Sequence, residues 1–186
     1  LPPLTRRELV GAGEALFCTA YPSGHGEHST TTTSGSTGEP VTVRRTSLSE
    51  LQWLAYTLRE HLWHDRDFSG RLASLRANIT EAAERADWGQ PCTFLFRTGP
   101  WSGRPASLSV EELCRWLGEF EPDYLLILPS TLGGIVAELE RTSQRLPRLR
   151  SVRTLSETVP ARLREDVRRV LGVGVDDVYT SQELGV

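Results

Sequence analysis

The sequence predicts an α/β domain with a mostly parallel sheet and flanking helices. Asp123–Leu128 contains a continuous apolar run that Pro129 ends, as expected of a strand buried on both faces. Helical spacing follows over residues 131–143, and the alternation of strand and helix returns over residues 151–179. Because short links between such units require right-handed crossovers, the carboxyl ends of the strands lie at one edge, where parallel sheets bind ligands.

The first 46 residues predict two strands separated by a glycine loop, after an irregular segment. Residues 1–28 show no sustained period of 2 or 3.6 and predict one helical turn near Arg6–Val10. Thr30–Thr33 favours extended structure, the glycines from Gly35 to Gly38 interrupt it, and Val41–Thr46 alternates as a half-exposed strand does. The glycines are therefore expected in a loop between paired strands.

Three segments follow before residue 100. Ser47–Glu50 matches a capping box, and leucines at spacings of three and four predict an amphipathic helix that continues to Trp63. Weaker helical periodicity predicts a second helix over residues 71–86, with apolar positions Leu72, Leu75, Ile79 and Ala83. Residues 92–97 predict a strand.

A regular alternation of helix and strand begins at Ser109. Ser109–Glu112 is a second capping box, and Leu108 and Leu113 occupy the hydrophobic-staple positions that flank it. A helix is predicted from there to Phe120. The later elements are predicted as a helix over 131–143, a strand over 151–155, a helix from Pro160 to Gly172 and a strand over 175–179.

Composition excludes several classes of protein. The chain has 186 residues and a formal net charge of −3, which gives no bulk attraction to nucleic acid or to anionic membranes. All 21 basic residues are Arg, so a lysine Schiff base and a P-loop lysine are both excluded. No apolar run approaches the ~20 residues needed to cross a bilayer, and the start of the chain lacks the apolar stretch of a secretory signal. A cytoplasmic protein is expected.

The cysteines and histidines do not form a recognisable metal or disulfide framework in the sequence. Cys18, Cys92 and Cys114 are odd in number and far apart, which fits neither a set of disulfides nor a Cys-x-x-Cys metal site. The pairs His25/His28 and His61/His64 have the spacing of metal ligands, but the first lies in a predicted loop without a third ligand and the second lies at a helix end. A structural role is the favoured interpretation for both pairs.

The segment Ser29–Gly38 has the chemistry of a phosphate-binding loop. Glycines allow backbone N–H groups to point into a concavity, and the hydroxyl groups of serine and threonine donate further hydrogen bonds. Composition alone leaves a flexible Ser/Thr linker as the alternative.

The order of the residues from Thr33 to Pro40 resembles the phosphate-binding signature of the adenylate-forming superfamily, Thr-Ser-Gly-Ser/Thr-Thr-Gly-x-Pro. It matches at every fixed position, and Val41 follows where many members have Lys, which is more like the phenylacetate–CoA ligase and capsule-protein branch. The resemblance implies that the phosphates of ATP are bound by the loop. The implied ligands are Thr33, Ser34, Gly35, Ser36, Thr37 and Gly38.

A second segment, Asp177–Gly185, resembles the Tyr-Gly-x-Thr-Glu segment of the same superfamily. The resemblance implies that Tyr179 packs against adenine, that Gln182 contacts phosphate and that Glu183 holds Mg²⁺, a cation that prefers carboxylate and phosphate oxygens. It also implies catalytic roles for Glu183 and Thr37. Thr180 and Gln182 replace the usual Gly and Thr.

A third segment, Arg153–Pro160, resembles the Gly-Gly-Glu-x-Leu-x-Pro segment that borders adenine in the superfamily. Leu155 and Ser156 stand where the family has glycines. The resemblance implies that Ser156 and Glu157 contact the nucleotide.

The resemblance covers nearly the whole chain and implies an enzyme that activates a small carboxylic acid. Its reaction converts carboxylate and ATP to acyl-AMP and pyrophosphate, usually followed by thioester formation with coenzyme A or a carrier-protein thiol. The chain is expected to be a portion of the large N-terminal AMP-binding domain, with the leading segment and phosphate loop in residues 1–46 and the helix and βα units in 47–186. A C-terminal domain with its lysine is expected beyond Val186, so the chain alone is expected to be slow or inactive.

Two alternatives remain open. The altered glycine positions 155, 156 and 180 favour a noncatalytic module with the same fold, acting as a degenerate nucleotide binder or an assembly partner. A plain α/β domain with a disordered Ser/Thr linker is the other.

Overall fold

The computed structural model describes residues 3–32, 40–76 and 78–180. The chain divides into two units, one formed by Leu1–Glu60 with Thr180–Val186 and the other by His61–Tyr179.

The first unit contains the strand pair that precedes and follows the glycine-rich segment 33–41. Helix α1 (Arg6–Ala12) begins at a capping box in which Thr5 and Glu8 hydrogen-bond each other's backbone amides. Strand β1 (His28–Thr32) pairs antiparallel with β2 (Thr42–Thr46), and Thr32 lies opposite Thr42. Helix α2 (Ser47–Trp63) follows β2 directly, and its last three residues belong to the second unit.

The second unit is built on a six-stranded sheet with the order β4-β5-β3-β6-β7-β8. Neighbouring strands are parallel except for β4, which pairs antiparallel with β5 at one edge. The strands are β3 (Leu72–Arg76), β4 (Ala83–Arg85), β5 (Trp101–Pro105), β6 (Tyr124–Ile127), β7 (Ser151–Leu155) and β8 (Gly174–Val178).

Three helices connect the parallel strands and cover one face of this sheet. Helix α3 (Val110–Phe120) links β5 to β6, α4 (Pro129–Thr142) links β6 to β7, and α5 (Ala161–Leu171) links β7 to β8. Each crossover moves toward the same edge, so right-handed connections place all three helices on the same side. Neighbouring helices pack on each other, and the core beneath them is fully buried. Its central side chains are Leu75, Leu113, Leu117, Leu125, Ile127, Leu132, Ile135 and Val152.

The predicted fold class is confirmed, and most predicted elements lie within two residues of those observed. Two predictions are wrong. Residues 71–86 form β3 and β4 rather than a helix, and residues 92–97 contain a 3-10 turn at Cys92–Phe94 rather than a strand. Strand β5 was not predicted at all.

The failed helix prediction has a simple geometric cause. Leu72 and Leu75 are three residues apart, a spacing that shares one face of a helix but falls on opposite faces of a strand. Ala73 and Leu75 are fully buried against the helices. Ser74 is buried on the other face, where its hydroxyl accepts a hydrogen bond from Trp101 Nε1 at 2.9 Å. With both faces buried, the strand shows no polar alternation that the sequence could reveal.

Candidate nucleotide-binding site

The carboxyl ends of β7 and β8 lie side by side. Leu155 pairs with Val178 in the parallel register of these strands. Ser156 and Tyr179 are each one residue beyond that pair, so the chain leaves both strands at neighbouring points. The structure therefore brings Ser156, Glu157 and Tyr179 to one edge of the sheet.

Ser156 has a backbone conformation that usually requires glycine. Its φ angle is +69°, in the left-handed region. A residue with a Cβ atom is unfavourable there, which explains physically why a glycine suits this position. The backbone at Ser156 therefore has a conformation that glycine would adopt without strain.

Glu157 binds the amino terminus of helix α4. The backbone N–H of Ser130 donates to Glu157 Oε2 at 2.9 Å, and the Ser130 hydroxyl donates to Oε1 at 3.0 Å. The N-cap residue of α4 is Leu128, which has no side-chain acceptor, and Pro129 is the first helical residue. The Glu157 carboxylate therefore acts as the cap, and its negative charge is favourable at this end of the helix.

Ser130 also lies at this edge of the sheet, and the sequence had given it no functional role. The signal that could have found it is an apolar residue at the N-cap, followed by proline and then serine. Such a start leaves helix amides without a side-chain acceptor of their own, so an acceptor from a neighbouring loop is needed.

Tyr179 follows β8 and is open to solvent, with 83% of its surface exposed. The strand that carries it is fixed on the helix side. Thr154, which is fully buried, donates from Oγ1 to Asp177 Oδ1 at 3.1 Å, and Arg164 Nη2 donates to Asp177 Oδ2 at 3.1 Å. Arg164 Nη1 also donates to the carbonyl of Val175 at 3.0 Å. Strand β8 is therefore tied to both β7 and α5 just before Tyr179.

On the opposite face of β8, Asp176 lies beside two buried side chains, His61 and Arg66, and the exposed His64. Arg66 donates to Asp176 Oδ2 at 2.8 Å, and His64 Nδ1 lies 3.3 Å from Oδ1. Arg66 Nη1 also lies 3.2 Å from His61 Nδ1. The pKa of His61 is lowered to about 3, first by burial and then by the neighbouring positive charges of Arg153 and Arg66. His61 is therefore neutral at physiological pH.

The proposed phosphate ligands Thr33, Ser34, Gly35, Ser36, Thr37 and Gly38 lie outside the described residues, as do Gln182 and Glu183. The strands on either side of residues 33–41 are described. They pair with each other, and Thr32 Oγ1 lies 3.2 Å from Thr42 Oγ1. The two predicted strands are thus present and paired, while the roles of these eight residues stay predictions.

A cavity of about 600 Å³ opens between α4 and α5, next to Ser130 and Glu157. Small apolar residues, including Gly133 and Ala137, form its floor. Most of its charged side chains form ion pairs with one another. Three carboxylates and two guanidinium groups line it, so it does not carry the positive charge that a triphosphate needs. The charged lining residues are Glu140, Glu157, Asp166, Arg162 and Arg169.

Within residues 3–32, 40–76 and 78–180, no group of three or more His, Cys, Asp or Glu side chains is arranged to hold a metal ion. The described helices also include none that is both long and apolar enough to cross a membrane.

No protein-family model matches the chain, and no curated protein matches it. Solved structures do. A 2-hydroxyisobutyryl-CoA ligase in the postadenylation state matches over all of this chain and 40% of its own, with 12% identity and a TM-score of 0.68. A long-chain-fatty-acid–CoA ligase from Archaeoglobus fulgidus matches over 83% of this chain and 31% of its own, with 13% identity and a TM-score of 0.58. An anthranilate CoA ligase in complex with anthranoyl-AMP matches over 82% and 29%, with 19% identity and a TM-score of 0.56.

The chain has the α/β fold of these CoA ligases. At such identities the likeness shows the fold alone, and the chain spans between 29% and 40% of the length of the three proteins. Of the residues to which the sequence gave a role, Ser156, Glu157 and Tyr179 are described and lie at one edge of this fold. That these three residues contact a nucleotide stays a prediction.

Proposed function

We propose that the chain is the ATP-binding part of an enzyme that activates a carboxylic acid as an acyl-adenylate. The observation that carries the proposal is the match of Thr33–Pro40 to the adenylate-forming signature, in a chain that has the fold of CoA ligases. We place it in the phenylacetate–CoA ligase and capsule-protein branch. Residues 1–46 then hold the leading segment and phosphate loop of the large N-terminal domain, and residues 47–186 hold its helix and βα units.

The proposed reaction needs no nucleophilic side chain. A carboxylate oxygen of the acid attacks the α-phosphorus of ATP, the bond to the bridging oxygen breaks, and pyrophosphate leaves with its electron pair. The loop residues Thr33–Gly38 donate hydrogen bonds to the phosphates, and Thr37 stabilises the charge that develops. Glu183 would hold Mg²⁺, which would supply further positive charge beside the phosphates. A thiol of coenzyme A or of a carrier protein then displaces AMP.

The adenine end of the proposed site is assigned to the edge formed by β7 and β8. Tyr179 offers an exposed ring for stacking, while Ser156 and Glu157 border the base and Gln182 contacts phosphate. The exposure of Tyr179 and the left-handed backbone of Ser156 support this assignment.

The alternative is a noncatalytic module with the same fold, which binds a nucleotide weakly or serves in assembly. It is motivated by Leu155, Ser156 and Thr180, which stand where the resembled family has glycine. At Ser156 the backbone nevertheless keeps a positive φ, so this replacement does not remove the glycine-like conformation.

Calorimetry with ATP in the presence of Mg²⁺ or of a chelator tests the proposal. The wild-type chain is expected to bind ATP more tightly with Mg²⁺, and Glu183→Ala is expected to remove that gain because it removes a carboxylate ligand. Glu119→Ala, a change of an exposed Glu on α3, is the control and should bind as the wild type does. Binding that ignores Glu183→Ala, or no binding at all, supports the noncatalytic module.

Limited proteolysis tests the linker interpretation separately. If Thr33–Gly38 binds phosphates, ATP should protect the chain from cleavage between Thr30 and Gly38. Cleavage there at an unchanged rate with saturating ATP would favour a plain linker.

A further inference from the structure

Ser130 and Glu157 join the start of α4 to the segment after β7, at the edge of the sheet where the adenine end of the site is proposed. Ser130 follows β6 in the first turn of α4, and Glu157 follows β7, 27 residues later. Both oxygens of the carboxylate are engaged, one by the Ser130 amide at 2.9 Å and one by its hydroxyl at 3.0 Å. Two contacts from one residue fix the plane of the carboxylate, whereas a single contact would leave it free to rotate.

The pair leaves Glu157 able to accept more hydrogen bonds. An ionised carboxylate has about four acceptor positions on its two oxygens, and Ser130 uses two of them. Glu157 is exposed, so the remaining positions face solvent at the edge that also carries Ser156 and Tyr179. An exposed, oriented acceptor of this kind suits a ligand that presents an N–H donor.

We propose that Ser130 is a positioning residue that orients the Glu157 carboxylate to accept a hydrogen bond from the amino group of adenine, and so makes the site selective for adenine. The inference rests on the proposed function. Its chemistry distinguishes purines: adenine carries an amino donor at C6, whereas hypoxanthine carries a carbonyl acceptor there, which a carboxylate repels. Ser130 acts through Glu157 and need not touch the nucleotide.

The experiment measures the affinities of the 186-residue chain for AMP and for IMP by calorimetry. The wild-type chain is expected to prefer AMP. Ser130→Ala keeps the backbone amide and loses the hydroxyl, so AMP should bind about five- to tenfold more weakly, the effect of one ordinary hydrogen bond, while IMP binding is unchanged. Ser130→Thr keeps the hydroxyl and should restore the preference for AMP.

A double-mutant cycle with Glu157→Ala separates positioning from a general structural effect. Once the carboxylate is absent, adding Ser130→Ala should cause no further loss of AMP affinity. Equal weakening of AMP and IMP, an unaltered AMP preference in Ser130→Ala, or a full additional loss in the double variant would overturn the positioning role. Thermal melting of each variant reports any loss of the α4 cap independently.

The wild-type measurement distinguishes the two levels of inference. If the wild-type chain binds neither AMP nor ATP with Mg²⁺, the proposed function fails and the positioning role fails with it. If the wild type binds AMP but the Ser130 variants do not change selectivity, the proposed function stands and only the positioning role is overturned.

Discussion

The guanidinium group of Arg66 and the carboxylate of Asp176 form a buried ion pair, with 2.8 Å between Nη2 and Oδ2. Only 2% of the Arg66 side chain and 18% of the Asp176 side chain are exposed. The pair connects the turn after α2 to the edge strand β8, 110 residues away in sequence. A charge buried to this extent is tolerated because its partner is present, so the two residues depend on each other.

Asp176→Ala should lower the free energy of unfolding by about 3 kcal/mol, because it leaves the Arg66 charge buried without its carboxylate. Urea denaturation followed by tryptophan fluorescence measures the change. The matched control is Arg141→Ala, which removes the exposed partner of Glu138, with 69% of the Arg141 side chain in solvent. That ion pair is screened by water, so the control midpoint should scarcely move. Equal effects of the two changes would contradict the burial argument.

His61 should make the stability of the chain depend on pH below neutrality. Its pKa is about 3 in the folded chain and near its ordinary 6.5 in the unfolded chain, because burial disfavours the charged imidazolium. The contribution is complete above pH 6.5. As the pH falls from 6.5 toward 3, the unfolded state takes up a proton that the folded state does not, and stability falls by up to about 1.4 kcal/mol per pH unit.

Urea denaturation at pH 7.5 and pH 5.0 checks this effect. His61→Gln keeps a polar side chain beside Arg66 and should reduce the loss of stability between the two pH values by about 2 kcal/mol. His25→Gln, which removes an imidazole from a 3-10 turn of the other unit, should leave the loss as it is in the wild type. The assignment to His61 fails if both variants lose as much stability as the wild type.

The regular βα units were predictable because their signals are local. The capping box at Ser109 and Glu112 is formed as expected, and both of its hydrogen bonds are present. The apolar run of β6 is buried at every position. In each case the residues that define the element also contact each other or form the core, so the pattern and the structure have the same cause.

Strand β5 could not be predicted because its stability comes from partners elsewhere in the chain. Its five residues include Gly103 and Pro105 and none that is β-branched, so the strand propensity is low. Ser102 is fully buried and accepts a hydrogen bond from Trp116 Nε1 at 3.0 Å. The Ser130–Glu157 contact could not be predicted from the sequence for the same reason, since it joins residues 27 positions apart.

Gly99 is required by its surroundings, whereas Gly133 is not. A Cβ atom at Gly99 would overlap the backbone carbonyl groups of Ser69 and Gly70, which cannot move like the end of a side chain. Gly99→Ala should therefore lower the free energy of unfolding by about 2 kcal/mol or more, or prevent soluble expression.

At Gly133, inside α4, the nearest atom to a new Cβ is Leu163 Cδ1 at 4.0 Å. Gly133→Ala should raise stability by about 0.5–1 kcal/mol through helix propensity. Denaturation midpoints that rank the two variants in the opposite order would contradict this.

The backbone conformation of Ser156 is strained for serine and would not be strained for glycine. Its φ of +69° disfavours residues with a Cβ atom by about 1–2 kcal/mol, and β-branched residues are worse still. Ser156→Gly should leave stability unchanged or raise it by up to about 1 kcal/mol, after the entropy lost by glycine on folding is counted. Ser156→Val should lower it by about 1–2 kcal/mol. Thermal and urea denaturation measure both, and a Val variant as stable as the Gly variant would show that the left-handed backbone is not maintained.

Tyr179 should affect nucleotide binding without affecting stability. With 83% of its surface exposed, the ring adds little buried area to the fold, so Tyr179→Ala should leave the denaturation midpoint unchanged. If the ring stacks on adenine as proposed, the same change should weaken AMP binding about fivefold or more, since a base–aromatic stack contributes about 1–3 kcal/mol. Tyr179→Phe keeps the ring face and should bind AMP nearly as the wild type does. Calorimetry with AMP on the wild type and the two variants measures these affinities. Weaker binding in both variants would point to the hydroxyl group, and unchanged binding in both would show that Tyr179 is not part of the site.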